Sequence, residues 1–190
     1  MAGGGGGGLQ AGAGGVVAAA GTGTESALAL TPGPTRLTAW RLVKSKFASG
    51  AMSGEGAATF GGRWNGVGTK VVYASQSASL AMLEILVHLG DAAELRQYIM
   101  IPLTFSADLV RQFPGEQLPK GWDAPTPVPA TQQLGDGFVA ARESAILAVP
   151  SVVMPQEFNF VINPAHPDFS RITIGPTLKV PFDSRLRGMK

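Results

Sequence analysis

The chain has 190 residues, long enough for one domain with a real hydrophobic core. Charged residues make up 15%, the net charge is only +2 and there is no local Lys/Arg run, which argues against a strong nucleic-acid footprint. It has no cysteine, and its two histidines, His88 and His166, lie far apart, which excludes a thiol nucleophile and a disulfide, speaks against zinc, and suits a reducing cytoplasm.

Residues 1–35 are rich in Gly, Ala, Ser and Thr and contain no aromatic residue. Such a segment buries too little surface to offset its ordering entropy, so a disordered low-complexity tail is expected there, followed by one domain over 36–190. A weak helix around 25–30 is the one local element it offers. The apolar run 16–20 is too short to span a membrane, and no basic segment precedes it to make a signal peptide.

Order is expected to begin near Leu37. Residues 38–43, with Trp40 and Arg41, read as a strand whose alternation sends those two side chains to opposite faces. Residues 48–60 read as a small, glycine-rich loop. The stretch 61–90 then reads as a glycine-rich loop, a strand over 70–74 and an apolar helix capped by Ser75 or Ser77 and ending near Gly90. It is neither a P-loop, since the Gly-Lys-Ser/Thr ending is missing, nor a dinucleotide fingerprint. Residues 98–103 form a further strand, with Pro102 pointing to an edge or an end. The proline-rich connection 113–131 is long enough to be functional or mobile, and Trp122 in it is either an anchor or a lid residue. A short helix over 134–144, two extended pieces within 145–154, and strands at 158–162, 171–174 and 178–182 complete the reading. Short strands outnumber helices, which indicates a single α+β domain with a mixed or antiparallel sheet.

Three polar residues stand out in the central stretch: Arg63 in the loop, Tyr73 at the strand's end and Glu84 in the helix. The helical neighbours of Glu84 at three and four residues are Leu80, Ala81, Val87 and His88. A helix apolar nearly all round is expected to be buried, and a carboxylate on it needs a partner or a cleft, with arginine the natural choice. A structural Glu–Arg pair or a solvent-reaching Glu explains the residue as well as a catalytic one does.

With these residues in view, the sequence resembles the RES domain family, the toxin halves of RES–Xre toxin–antitoxin modules, named for an Arg-Glu-Ser run that stands here as Arg142-Glu143-Ser144. The other landmarks are Trp40-Arg41, Gly61-Gly62-Arg63-Trp64-Asn65 with Gly68, Tyr73-Ala74-Ser75 and Ala81 to Glu84. They continue with Leu118-Pro119, Gly121-Trp122, Gly135-Asp136, Val149-Pro150-Ser151, Asn159, Asn163-Pro164 and Phe182-Asp183-Ser184-Arg185-Leu186. The match spans roughly residues 37–187; it is the ordered set, not any one piece, that is specific. Trp40 departs from the family, which often has tyrosine there, so an aromatic wall survives but a hydroxyl does not.

The resemblance implies a fold similar to ADP-ribosyltransferases and NAD⁺ as the substrate, with no cofactor or metal beyond it. The family consumes NAD⁺ by hydrolysis or phosphorolysis, or transfers its ADP-ribose to a protein. The implied catalytic set is Arg63, Tyr73 and Glu84, with Arg41, Ser144 and Trp40 at the NAD⁺-binding positions. Cleaving the nicotinamide–ribose bond builds oxocarbenium-like charge that a carboxylate can stabilise. Arginines match the pyrophosphate, and Tyr73 offers a flat face to nicotinamide. Arg142 and Glu143 are as well explained by a local pair as by catalysis.

The implied partner is a cognate Xre-type antitoxin that blocks the cleft, in an oligomer with the toxin, without direct nucleic-acid or membrane binding and in the cytoplasm. The 113–131 segment is a candidate antitoxin contact. Three readings follow: an NAD⁺-degrading toxin, a mono-ADP-ribosyltransferase, and a non-catalytic interaction domain. Met82 stands where many arginine-modifying transferases carry Glu or Gln, which weakens only that version of the second. Convergence of Arg41, Arg63, Tyr73, Glu84 and Ser144 on one cleft separates the first two from the third.

Overall fold

A computed structural model describes residues 35–183 and 185–186, all within one packed unit, Pro32–Lys190. The tail expected over 1–35 and the weak helix around 25–30 lie outside these residues, apart from Thr35. The frame is one sheet in the order β4-β5-β6-β2-β1-β3-β7, with β8 also paired to β3. Its strands are β1 (Arg36–Lys44), β2 (Val72–Ser75), β3 (Tyr98–Ser106), β4 (Val110–Gln112), β5 (Ile146–Pro150), β6 (Phe158–Ile162), β7 (Thr173–Ile174) and β8 (Leu178–Lys179). Among the described strands only β4–β5 pairs in parallel; the α+β class holds.

Period-2 alternation divides the sheet's two faces. Ala39, Val72, Ala74, Leu103, Phe105, Ile146, Ala148, Phe160 and Ile162 form the largest core cluster. A second cluster joins Trp64, Val71, Phe138, Leu147, Val149 and Val161. A third seats Leu42, Ala81, Leu95, Met100 and Val180.

Among the described residues three α-helices accompany the sheet: α1 (Glu55–Phe60), α2 (Ala78–Leu86) and α3 (Pro129–Ala141). Ser77 caps α2, its side chain accepting from Leu80 N–H at 3.0 Å. The helix ends at Leu86, one turn short of Gly90, and is not buried all round: Leu80 and Ala81 are buried, whereas Val87 beyond its end is 55% exposed. A lone helix over a sheet has one covered face, and composition does not reveal which.

Other boundaries differ for local reasons. The loop expected over 48–60 contains α1. Pro129 lies in the first turn of α3, where a missing N–H costs nothing, so this helix starts before the expected 134. The two pieces expected within 145–154 are one strand, β5, followed by a turn. Pro102 sits inside β3 opposite Trp40, not at an edge or end. Its carbonyl accepts from Gly175 N–H on the far side from β1, where the outer pairing breaks between β7 and β8. A residue's N–H and C=O point the same way along a strand, so the absent N–H faces that break and costs no bond to β1.

β1 and β2 share a single paired position, Trp40 with Ser75, while β1 and β3 pair along their whole length. The sheet therefore parts between its two central strands, and the site lies there.

Candidate active site

A cleft of about 740 Å³ opens at this parting, a size suited to a nucleotide-scale ligand. Trp40, Arg41, Arg63, Tyr73 and Glu84 all line it. Trp40 and Arg41 both line the cleft although they are successive residues of β1.

Arg41 bridges the parted strands. Its Nη1 donates to the Tyr73 carbonyl at 2.7 Å, occupying a group that a continuous ladder would have paired with a backbone N–H. Its Nε is buried and has no hydrogen-bond partner. Desolvation by burial lowers the guanidinium to a pKa of about 10. The structure thus holds a cation with one unsatisfied donor beside the cleft, and a buried polar group left without a partner is uncommon.

Glu84 is held by neutral groups rather than the expected arginine. Its Oε1 accepts from Ser151 Oγ at 2.7 Å and from Asn159 Nδ2 at 2.5 Å. Each donor is itself fixed. Ser75 Oγ donates to Asn159 Oδ1 at 2.7 Å, which turns the amide nitrogen toward the carboxylate. Ser151 Oγ accepts from the N–H groups of Val153 and Met154 at 3.0 and 2.9 Å. Both bonds fall on one oxygen, so the carboxylate is oriented without a countercharge.

Tyr73 is pinned through its hydroxyl. The O–H donates to Asn65 Oδ1 at 2.8 Å and accepts from Trp64 N–H at 3.1 Å. Burial pushes the phenol far above its ordinary value, and the Asp136 carboxylate adds to this. With its hydroxyl turned into the loop and held neutral, Tyr73 presents an aromatic ring rather than a proton-transfer group.

Asn65 is fully buried, its Nδ2 within 2.9–3.1 Å of the Ala57, Gly66 and Thr69 carbonyls. Gly62 is glycine for a steric reason: a Cβ would sit 2.7 Å from Tyr73 Oη. Arg63 extends from this loop and donates to the carbonyls of Trp122 at 2.7 Å and Pro125 at 3.4 Å. It thereby ties the proline-rich segment to the cleft, and Pro125 and Pro127 line the wall. Trp122 packs against the second core cluster, as an anchor does.

Ser144 is not brought to the cleft, in correction of the expected binding role. It sits in the turn before β5, its Oγ donating to the Ile146 carbonyl at 3.3 Å. Its run is a structural corner, in which Glu143 pairs with Arg111 and Arg142 caps α3. The residues that sequence reasoning passed over as contacts to Glu84 are Ser151 and Asn159, both already visible as landmarks. Their roles were hidden because β5, β6 and α2 are distant in the chain. His88, one turn beyond Glu84, also lines the cleft.

The RES domain family model matches residues 38–183. A Photorhabdus laumondii protein named Toxin Res is 36% identical over 77% of this chain and 95% of its own length. A Sphingobium protein named Prs ADP-ribosylating toxin is 37% identical over 77% of this chain and 94% of its own. A chain in the crystal structure of the M. tuberculosis MbcT–MbcA toxin–antitoxin complex shares the fold, with a TM-score of 0.63 at 18% identity, covering 77% of this chain and 85% of that one.

Proposed function

This chain belongs to the RES domain family, and from that premise we propose that it is the toxin of a toxin–antitoxin pair that consumes NAD⁺ by cleaving the nicotinamide–ribose bond and so arrests growth. The observation that carries the proposal is the convergence of two arginines, an aromatic ring and an oriented carboxylate on one cleft. Arg41 and Arg63 receive the pyrophosphate. The Tyr73 ring lies along the nicotinamide. Glu84 stabilises the positive charge that grows on the ribose as the C1′–N bond breaks and nicotinamide leaves with the bonding electrons. Phosphate or water then bonds to C1′, and an attacking water gives up its proton to bulk solvent.

A second reading, transfer of the ADP-ribose to a protein acceptor, is favoured by the name of the Sphingobium relative. The cognate antitoxin, of Xre type, is proposed to cover the cleft, with the pair acting in the cytoplasm. Among the described residues no helix is long and apolar enough to cross a membrane.

The test is NAD⁺ loss by the purified protein, with and without phosphate, products resolved by chromatography, beside Glu84→Ala and Glu84→Gln. Wild type is expected to consume NAD⁺ and both variants to lose roughly 10²–10³-fold in kcat, the scale on which preorganised electrostatic groups act. Phosphate dependence distinguishes phosphorolysis from hydrolysis. Label transferred from NAD⁺ to a protein identifies the second reading. No NAD⁺ loss and no labelled acceptor would leave a non-catalytic interaction domain.

A further inference from the structure

The loop that carries Arg63 has no regular secondary structure, yet its backbone is gripped from one helix. Gln132, Gly135 and Asp136 lie on one face of α3, three and four residues apart. Gln132 Nε2 donates to the Gly62 carbonyl at 3.0 Å. Asp136 Oδ1 accepts from Gly66 N–H at 2.9 Å. Between them the Gly135 backbone packs so closely on the loop that a Cβ would fall 1.7 Å from the Trp64 carbonyl oxygen. The three contacts take the backbone before, beside and after the residues that aim Arg63. Within the loop, Asn65 also donates to the Ala57 carbonyl and accepts from the Tyr73 hydroxyl.

We propose that Asp136 is a positioning residue: with Gln132 and Gly135 it fixes the 61–68 loop, and through it the Arg63 guanidinium at the mouth of the cleft. The proposal rests on the reading of Arg63 as a ligand to the NAD⁺ pyrophosphate. It requires an acceptor at position 136, not a charge. Asparagine supplies that acceptor through Oδ1, whereas alanine does not.

The experiment compares the full chain with Asp136→Ala, Asp136→Asn and Gln132→Ala. It pairs steady-state NAD⁺ kinetics with hydrogen exchange of the peptide spanning the loop. In Asp136→Ala, loop exchange and the KM for NAD⁺ are each expected to rise roughly fivefold, the scale of losing one hydrogen bond of about 1 kcal/mol to a half-buried N–H, with kcat within about threefold. Asp136→Asn is expected to restore both. Gln132→Ala, which leaves Asp136 in place, is expected to move both in the same direction by less, and it decides the matter if Asp136→Ala does not fold. An Asn variant as impaired as the Ala variant, or unchanged loop exchange and KM in the Ala variants, overturns the proposal. If wild type consumes no NAD⁺, the functional reading fails, and the exchange comparison alone decides the clamp.

Discussion

Arg41 is the residue at which stability and the proposed function oppose each other. Its guanidinium is desolvated, and its pKa falls to about 10. Below that pH both the folded and the unfolded chain carry the proton, so the full cost of burying the cation is present at neutrality. Between pH 10 and the ordinary arginine range the unfolded chain binds more protons, and Arg41 therefore makes stability rise with pH across that window. Replacing the cation with a side chain of similar reach removes this cost, at the expense of the bond to the Tyr73 carbonyl. Arg41→Met is expected to stabilise the fold by about 1–2 kcal/mol net, since relieving the desolvation of a cation with no ion-pair partner outweighs the lost hydrogen bond, which costs about 1. Thermal unfolding should show a Tm raised by roughly 2–8 °C while NAD⁺ consumption collapses. A lowered Tm would mean that the bridge between the strands outweighs the desolvation.

At the scale of elements, the corner joining α3 to β5 explains a run that the sequence marks but the cleft does not use. Arg142 is the one non-glycine residue among those described with a positive φ, 50°, and it ends α3 in the left-handed conformation. His166 fastens the same corner. Its Nδ1 accepts from Asp168 N–H at 3.0 Å, so Nε2 carries the proton and donates to the Arg142 carbonyl at 3.1 Å. Arg142→Gly relieves a conformation that costs an L-residue about 1–2 kcal/mol, offset by glycine's greater unfolded-state entropy of about 0.5–1. It is expected to raise Tm by roughly 1–3 °C. Ser144→Ala is expected to leave NAD⁺ turnover within about twofold of wild type, since surface-turn changes away from a site are usually small. A collapse of turnover in Ser144→Ala would restore that residue to the substrate site.

At the scale of the whole packed unit, Pro32–Lys190, the sheet is parted between β1 and β2, with α2 bringing Glu84 to one side of the opening and the 61–68 loop bringing Arg63 to another. The proposed pyrophosphate seat between Arg41 and Arg63, both lining the cleft, is one that binding should reveal as stability. Inorganic pyrophosphate is expected to raise Tm, by about 2.7 kcal/mol of stability at a hundredfold excess over its Kd. The shift should shrink with salt and vanish in Arg41→Met. An unchanged Tm in wild type at millimolar pyrophosphate would remove the phosphate assignment from the cleft.

The sequence by itself determined the α+β class and most strands, because periodicity and turn residues are local signals. Arg63, Tyr73 and Glu84 stand out in it as polar residues in an apolar stretch, Arg41 joins them only through the family resemblance, and the four line one cleft. It did not reveal that neutral Ser151 and Asn159, rather than an arginine, hold Glu84, nor that Ser144 stays outside the cleft. Those facts depend on β5 and β6 lying where α2 crosses the sheet, a juxtaposition of segments more than sixty residues apart. Pro102 inside a strand and the grip of α3 on the Arg63 loop are of the same kind. Each is settled by where a neighbouring element stops or approaches, which only the packed sheet decides.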